Sequence, residues 1–153
     1  MLLILGICYN ITSAVGGAAP AFGSQLFDHT HILIMRDFRK YSVWEQSHKL
    51  VLELYRLTKN FPAEEKFGLT SQIRRAVVSI PTNISEGCGK FSEKDFARFL
   101  GISFGSCQEV EYFTLLAKDL DYLNQDNYDP LFLEIVSIKK QLYHLIKKLN
   151  AGS

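Results

Sequence analysis

The stretch Phe67–Lys90 constrains the fold of this chain more than any other part of the sequence. Its apolar residues recur at steps of three and four, which places them on one face of an α-helix. The pattern resumes after Pro81, so the sequence predicts one helix with a kink at the proline rather than two helices. Gly87 and Gly89 follow the last apolar position and predict a left-handed cap at the helix end. The apolar positions are Ile73, Ala76, Val77, Ile80 and Ile84.

Two further segments have the same helical periodicity. The first runs from Ser42, a candidate N-cap, to Phe61-Pro62, where the proline excludes the preceding residue from the α region. The second begins at Ser92, and Asp95 three residues later completes an approximate capping box. Both segments are therefore predicted to be amphipathic helices.

A fourth helical segment begins at Asp129-Pro130, with the aspartate as N-cap and the proline at the first helical position. No segment shows the sustained period-two alternation of a strand. Four amphipathic helices joined by short loops predict an all-α fold, an antiparallel up-down-up-down four-helix bundle. We place the bundle at residues 35–150 and a short tail at residues 151–153.

The segment after Ser92 is apolar around most of its circumference. A helix of this kind must be buried on more than one side, and a four-helix bundle covers only part of it. We therefore expect a homo-oligomer to cover the rest. Gly101 and Gly105 would let another backbone approach closely. One stripe comprises Phe96, Leu100, Ser103, Cys107, Val110, Thr114 and Ala117, while Phe99, Ile102, Phe104, Tyr112, Leu115 and Leu116 lie beyond it.

Residues 1–34 differ in composition from the rest of the chain, since they contain no Lys or Arg and only one acid, Asp28. We interpret them as a disordered or spurious extension, with translation beginning at Met35. A signal-like segment and an ordered extension remain alternatives, although the basic region of a secretory signal is missing. The opening apolar run is too short to span a bilayer.

The net charge and the cysteines limit the class of protein. The formal net charge is only +1, so any affinity for nucleic acid must come from a local patch. The three cysteines, at 8, 88 and 107, are scattered and form no CxxC pair, which argues against a disulfide framework or a zinc site. A reducing cytoplasm fits this pattern best.

One set of motifs runs along the chain from Tyr41 onward and comprises Tyr41–Trp44, Leu57–Pro62, Phe67–Ala76, Ser79–Gly87 and Phe99–Ser103, with Gly105, Ser106 and Glu109. These motifs resemble one bacterial family, the four helix bundle proteins. This family includes proteins encoded within intervening sequences of 23S ribosomal RNA genes, and the accessory variability determinant of diversity-generating retroelements. Members usually carry Ala at the position of Ser85 and a small or basic residue near Cys88, so the chain departs mildly there.

The resemblance implies a four-helix bundle that assembles into a homopentameric ring. In the retroelement branch, the assembly is basic, binds nucleic acid and partners a reverse transcriptase. The intervening-sequence branch has no established biochemical activity. The near-neutral charge of this chain weakens the case for the basic branch.

Five basic residues are candidates for contacting the phosphates of RNA or DNA. We expect them to lie around the junction of the second and third helices. The side chains of two adjacent helical residues diverge by about 100°, so Arg74 and Arg75 cannot face the same groove. The candidates are Arg74, Arg75, Lys90, Lys94 and Arg98.

A structural role is the alternative for the arginine pair and for nearby polar residues. One arginine would pair with Glu86 or Glu109, inside the bundle or between subunits, because the guanidinium fork suits a buried carboxylate. Asn83 and Glu86 would form a structural polar site that satisfies the backbone groups freed by Pro81 and by the end of the helix.

No motif in the sequence indicates catalysis, a cofactor or a metal. The segment Gly87–Lys90 resembles a phosphate loop, but Ile84 and Phe91 stand where that motif needs Gly and Ser or Thr. The paired Glu-x-x-His motifs of di-iron bundles are also absent, since this spacing occurs only once, at Glu45 and His48. We therefore expect a non-enzymatic oligomer that binds nucleic acid, or alternatively a structural scaffold or protein-interaction module. An enzyme would require a pocket of titratable groups near Arg75, Asn83 and Glu86.

Overall fold

The computed structural model describes residues 36–151, all of them in helices or short connections. The predictions made for residues 1–34 concern residues outside this range. Within it there is no strand, and the prediction of an all-α four-helix bundle is confirmed. The α-helices are α1 (Ser42–Leu57), α2 (Leu69–Cys88), α3 (Glu93–Asp119) and α4 (Gln125–Ala151), and the short 3₁₀ helices are Phe38–Lys40, Thr58–Asn60 and Ala63–Lys66.

Each helix packs against its neighbours in the chain, and α1 also contacts α4, which closes the bundle. The interface between α2 and α3 is the most extensive, and that between α1 and α4 is the smallest. All five apolar positions predicted for α2 are buried, as is every residue of the first stripe predicted for α3. Burial of these stripes is the main favourable contribution to folding.

Helix α2 continues through Pro81, as predicted, and the proline is buried inside the helix. On the α3 side, the Ser103 hydroxyl donates a hydrogen bond to the carbonyl of Ile80 at 2.9 Å. A neighbouring helix thus hydrogen-bonds the α2 backbone beside the proline, where the helix lacks one backbone donor.

The predicted left-handed cap at the end of α2 is wrong. Gly89 has a φ of −80°, which is ordinary right-handed backbone, and Gly87 lies inside the helix. Gly87 is instead required for packing, because a Cβ built on it would lie 2.8 Å from Cδ2 of Phe96 and 2.9 Å from Cβ of Phe99. Both phenylalanines belong to α3, so this glycine allows α2 and α3 to meet closely.

The start of α3 agrees with the prediction, whereas the start of α1 does not. The Ser92 hydroxyl accepts a hydrogen bond from the Asp95 amide at 3.0 Å and donates one to the Asp95 carboxylate at 2.7 Å. In α1, however, Ser42 is the first helical residue and Tyr41 occupies the N-cap position. The Ser42 hydroxyl donates to Gln141 of α4 at 2.9 Å, so it links two helices instead of capping one.

Helix α4 begins earlier than predicted, at Gln125 instead of at Asp129-Pro130. The side chain of Asn124 caps it, because its Oδ1 accepts a hydrogen bond from the Asn127 amide at 3.0 Å. Pro130 falls in the second turn and is exposed, so water can reach the carbonyl that loses its helical donor. No helix within residues 36–151 is both long and apolar enough to cross a membrane.

Candidate nucleic-acid interface

The five predicted basic residues do not form one surface, because α2 separates them. Arg74 and Arg75 lie in the first half of α2, whereas Lys90, Lys94 and Arg98 follow its far end. At a rise of about 1.5 Å per residue, the helix carries the chain roughly 20 Å between the two groups. Each group must therefore be considered separately.

Arg74 has a structural role at the C-terminal end of α1. Its Nε donates to the hydroxyl of Thr58 at 2.9 Å, and its guanidinium carbon lies 4.9 Å from the centre of the Tyr55 ring. Thr58 is buried and donates in turn to the carbonyl of Leu54 at 2.7 Å. This chain of contacts fastens the start of α2 to the end of α1.

The predicted pairing of an arginine with Glu86 or Glu109 is wrong within this subunit. Arg75 is exposed and donates to Gln72 on its own helix at 3.1 Å. Glu86 lies about three turns further along α2, and Glu109 lies on the exposed side of α3. Within residues 36–151, no ion pair joins either carboxylate to Arg74 or Arg75, and Glu86 instead contacts Lys90.

Lys90 and Arg98 flank a single aromatic ring at the opposite end of the bundle. The Lys90 Nζ lies 4.6 Å from the centre of the Phe99 ring, and the Arg98 guanidinium carbon lies 4.9 Å from it. Lys90 also contacts the Glu86 carboxylate at 3.3 Å, an exposed pair of low energetic value. Lys94 is exposed in the first turn of α3.

Arg36 joins this group, although the sequence did not point to it. Its Nη1 donates to the carbonyl of Lys90 at 2.9 Å, and its guanidinium carbon lies 4.9 Å from the centre of the Phe96 ring. The residue precedes α1 and takes part in no periodic pattern, so only the tertiary structure reveals its position. We call the surface formed by Arg36, Lys90, Lys94 and Arg98 the basic end.

An aromatic side chain projects from the basic end. Phe91, in the connection between α2 and α3, is 90% exposed and directly follows Lys90. An apolar ring this exposed gains nothing from the core of its own subunit. The faces of its ring are available to a ligand, and the neighbouring cations favour a ligand that is negatively charged.

The polar residues after Pro81 form a network, but not the predicted one. The proline removes the donor to the carbonyl of Val77, whereas Asn83 donates to the carbonyl of Ser79 at 2.8 Å and to its hydroxyl at 3.0 Å. The Ser106 hydroxyl of α3 donates to the same Ser79 hydroxyl at 2.9 Å. The Asn83 side chain reaches back one turn to the Ser79 hydroxyl, which Ser106 also contacts. The three side chains thus link α2 and α3.

The cysteines of the bundle are buried and unsuited to nucleophilic chemistry. Burial raises the pKa of the Cys88 thiol to about 11 and that of the Cys107 thiol to about 12. Both thiols are therefore protonated at neutral pH, and a protonated thiol is a poor nucleophile. Within residues 36–151, no three His, Cys, Asp or Glu side chains are grouped as a metal site.

Comparison with known proteins supports the assignment of a family. A family model described as the 23S rRNA-intervening sequence protein matches residues 39–144. The fold is similar to that of a crystal structure from Bacteroides thetaiotaomicron VPI-5482, a protein of unknown function from the S23 ribosomal protein family. The TM-score is 0.65 at 27% sequence identity, and the match covers 69% of this chain and 98% of that one. No curated protein matches the chain. The chain belongs to the 23S rRNA-intervening sequence protein family.

Proposed function

We propose that this protein is a non-enzymatic, self-associating four-helix bundle that binds RNA or DNA at its basic end. The observation that carries the proposal is Phe91, 90% exposed beside Lys90 and close to Lys94 and Arg98. Aromatic rings that stack on bases, combined with cations that contact phosphates, are typical of proteins that bind single-stranded nucleic acid.

The affinity should be moderate and strongly dependent on salt. Glu86, Glu93 and Asp95 lie at the same end of the bundle and offset part of the positive charge. If the site neutralises about three phosphates of a single strand, a plot of the logarithm of the binding constant against the logarithm of the salt concentration should have a slope of roughly −2.

A filter-binding titration at several salt concentrations tests the interface. The variant Phe91→Ala should weaken binding by about tenfold, since stacking contributes roughly 1–3 kcal/mol per base. The double variant Lys94→Gln/Arg98→Gln should reduce both the affinity and the salt slope. Phe67→Ala is the matched control, because Phe67 is 86% exposed at the opposite end of the bundle. Absence of binding even at low salt would contradict the proposal.

Self-association is supported by an exposed apolar stripe on α3. Tyr112 is 59% exposed and Leu115 is 40% exposed, and both share a helical face with Gly101 and Gly105. A Cβ built on either glycine meets no atom within 4 Å, so no other element of the described subunit approaches them. A second copy of the chain could pack there at short range, and the homopentamer that the family resemblance implies would use such a face.

Light scattering on the purified protein tests the assembly. We expect a mass several times that of one chain, and we expect Tyr112→Glu to lower it, because a carboxylate would be buried in the interface. A monomer at micromolar concentration contradicts self-association.

A scaffold that binds a protein partner without nucleic acid is the second candidate function. The observation that favours it is a further exposed apolar group on α4, where Leu133 is 67% exposed and Tyr143 is 56% exposed. Affinity capture with and without nuclease treatment separates the two functions. A partner retained after nuclease treatment supports the scaffold, whereas one released by it supports the nucleic-acid interface.

A further inference from the structure

An open groove of about 470 Å³ lies between α1 and α2, next to the basic end. Trp44, His48 and Val51 follow one another along α1 at steps of four and three, so they share the face that forms one wall. Val78 and Pro81 of α2 form part of the facing wall. This volume falls within the roughly 300–1,000 Å³ usual for sites that hold small ligands.

The α1 wall is aromatic. The rings of Trp44 and His48 are stacked, with their centres 5.3 Å apart and their planes at 3° to each other. The Phe38 ring closes one end, 4.7 Å from Trp44 and tilted by 57°. The opposite wall is aliphatic, with Val78 37% exposed toward solvent. A slot with one aromatic wall and one aliphatic wall suits a planar ring.

The end of the groove toward the basic end carries polar groups that a heterocyclic ring could use. The Ser85 hydroxyl makes no hydrogen bond to any residue in the range 36–151, and Glu86, whose carboxylate also contacts Lys90 at 3.3 Å, lines the same end of the groove. A hydroxyl can donate and accept, and a carboxylate accepts from the amino or imino groups of bases. Aliphatic ligands would leave these groups unused.

A second, smaller hollow of about 400 Å³ connects the groove to cationic side chains. It shares Phe38 and Ser85 with the groove and is lined by Arg36, Arg39 and Asp37, whose carboxylate lies 3.6 Å from the Arg39 guanidinium. Arg36 is part of the basic end, where its guanidinium lies against Lys90. Two guanidinium groups and one carboxylate therefore adjoin the mouth of a largely apolar slot, and the excess of positive charge favours a base that is attached to a phosphate.

The geometry points to this groove as a pocket for one unpaired base of a single-stranded nucleic acid whose phosphates contact Arg36 and Arg39. This inference rests on the proposed binding at the basic end and specifies the form of nucleic acid. A base in a duplex is paired and stacked, so it cannot present its faces to Trp44 and Val78, whereas a single strand can turn a base outward. The protein should therefore prefer single strands to duplexes of the same sequence.

Trp44 is the one tryptophan of the chain, so its fluorescence reports on the groove directly. We would titrate the full chain with a mixed-sequence single-stranded RNA, with its DNA counterpart, and with each strand annealed to its complement. Filter retention measures binding, while Trp44 emission measures occupancy of the groove. The expected result is quenching by the single strands, with weaker binding and little quenching by the duplexes.

Variants separate the groove from the basic end. Val78→Phe narrows the slot from the aliphatic side, and we expect it to abolish quenching and weaken single-strand binding about tenfold. Leu52→Phe is the matched control on α1, since Leu52 is 58% exposed and lies outside the groove. It should bind and quench as the original chain does.

Two outcomes overturn the inference while leaving the proposed function intact. The first is retention of single strands on the filter with unchanged Trp44 emission and no effect of Val78→Phe. The second is equal quenching by single strands and duplexes. Absence of retention of any strand at low salt instead rejects the proposed function together with the inference.

Discussion

Phe96 of α3 packs directly on the backbone of Gly87 in α2, where even one added methyl group would lie 2.8 Å from its ring. Both residues are buried. The contact sets the distance between the end of α2 and the start of α3, on either side of the loop that carries Phe91. It also positions Phe99, the ring that Lys90 and Arg98 flank, so the arrangement of the basic end depends on a glycine in the core.

Gly87→Ala should destabilise the protein by about 1–3 kcal/mol, because overpacking a filled core forces side chains or helices to shift. Urea denaturation measures the loss. Gly89→Ala is the control, since its backbone is right-handed and the atom nearest to an added Cβ is 3.4 Å away. It should change stability by less than about 0.5 kcal/mol. Similar losses in both variants would show that packing against Phe96 does not explain the result, since helix propensity alone favours alanine over glycine.

The sequence predicted the helices and the core because burial imposes a regular period on each of them. The stripe of α2 from Ile73 to Ile84 is an example, since every one of its predicted positions is buried. The capping pair Ser92 and Asp95 was also predictable, because the hydrogen bonds between them are local in the chain. Features set by neighbouring residues are therefore accessible from a single sequence.

Features that depend on contacts between distant residues were not predictable in the same way. The role of Gly87 depends on Phe96 of another helix, and the position of Arg36 depends on a carbonyl 54 residues away in the chain.

The start of α4 was misplaced because Asp129-Pro130 is a stronger local signal than Asn124, whose cap is formed instead. The candidate interface could be predicted in part only, since Lys90, Lys94 and Arg98 remain together while Arg74 lies elsewhere.

Asp121→Gly should stabilise the protein by about 0.5–1 kcal/mol. Asp121 has a φ of 60°, the left-handed region in which residues other than glycine are strained. Two backbone hydrogen bonds fix this geometry at the end of α3. The Tyr122 amide donates to the carbonyl of Ala117, and the Asp121 amide donates to the carbonyl of Lys118.

Thermal or urea denaturation measures the effect at Asp121. Asp121→Asn removes the charge but keeps the side chain, so it separates relief of strain from electrostatics at the helix end. Asp119→Gly, in the last turn of α3, should instead destabilise by roughly 0.5–1 kcal/mol. A gain for the asparagine variant equal to that for glycine would attribute the effect to charge.

Arg74→Gln should cost about 1–2 kcal/mol of folding free energy, whereas Arg75→Gln should cost less than about 0.5 kcal/mol. Arg74 loses its bond to Thr58 and its contact with the Tyr55 ring, while Arg75 contacts only Gln72 among the partners described. Combining Arg74→Gln with Thr58→Val in a double-mutant cycle should give non-additive losses. Additive losses would show that the two side chains do not stabilise each other.

Glu134→Gln should stabilise the protein at pH 7, by less than about 1 kcal/mol because solvent screens this partly exposed group. Burial raises the pKa of the Glu134 carboxyl above its ordinary value of 4.5, the charge of Glu53 adds to the effect, and Lys49 opposes it. A raised pKa means that the folded state binds the proton more tightly than the unfolded state, so stability falls as the pH rises through that pKa. The advantage of the glutamine variant should therefore be present at pH 7, decline as the pH falls and vanish well below pH 4, where the carboxyl is protonated in both states. Urea denaturation across this range checks it, with the exposed Glu109→Gln as control, and an advantage that is independent of pH would contradict the assignment.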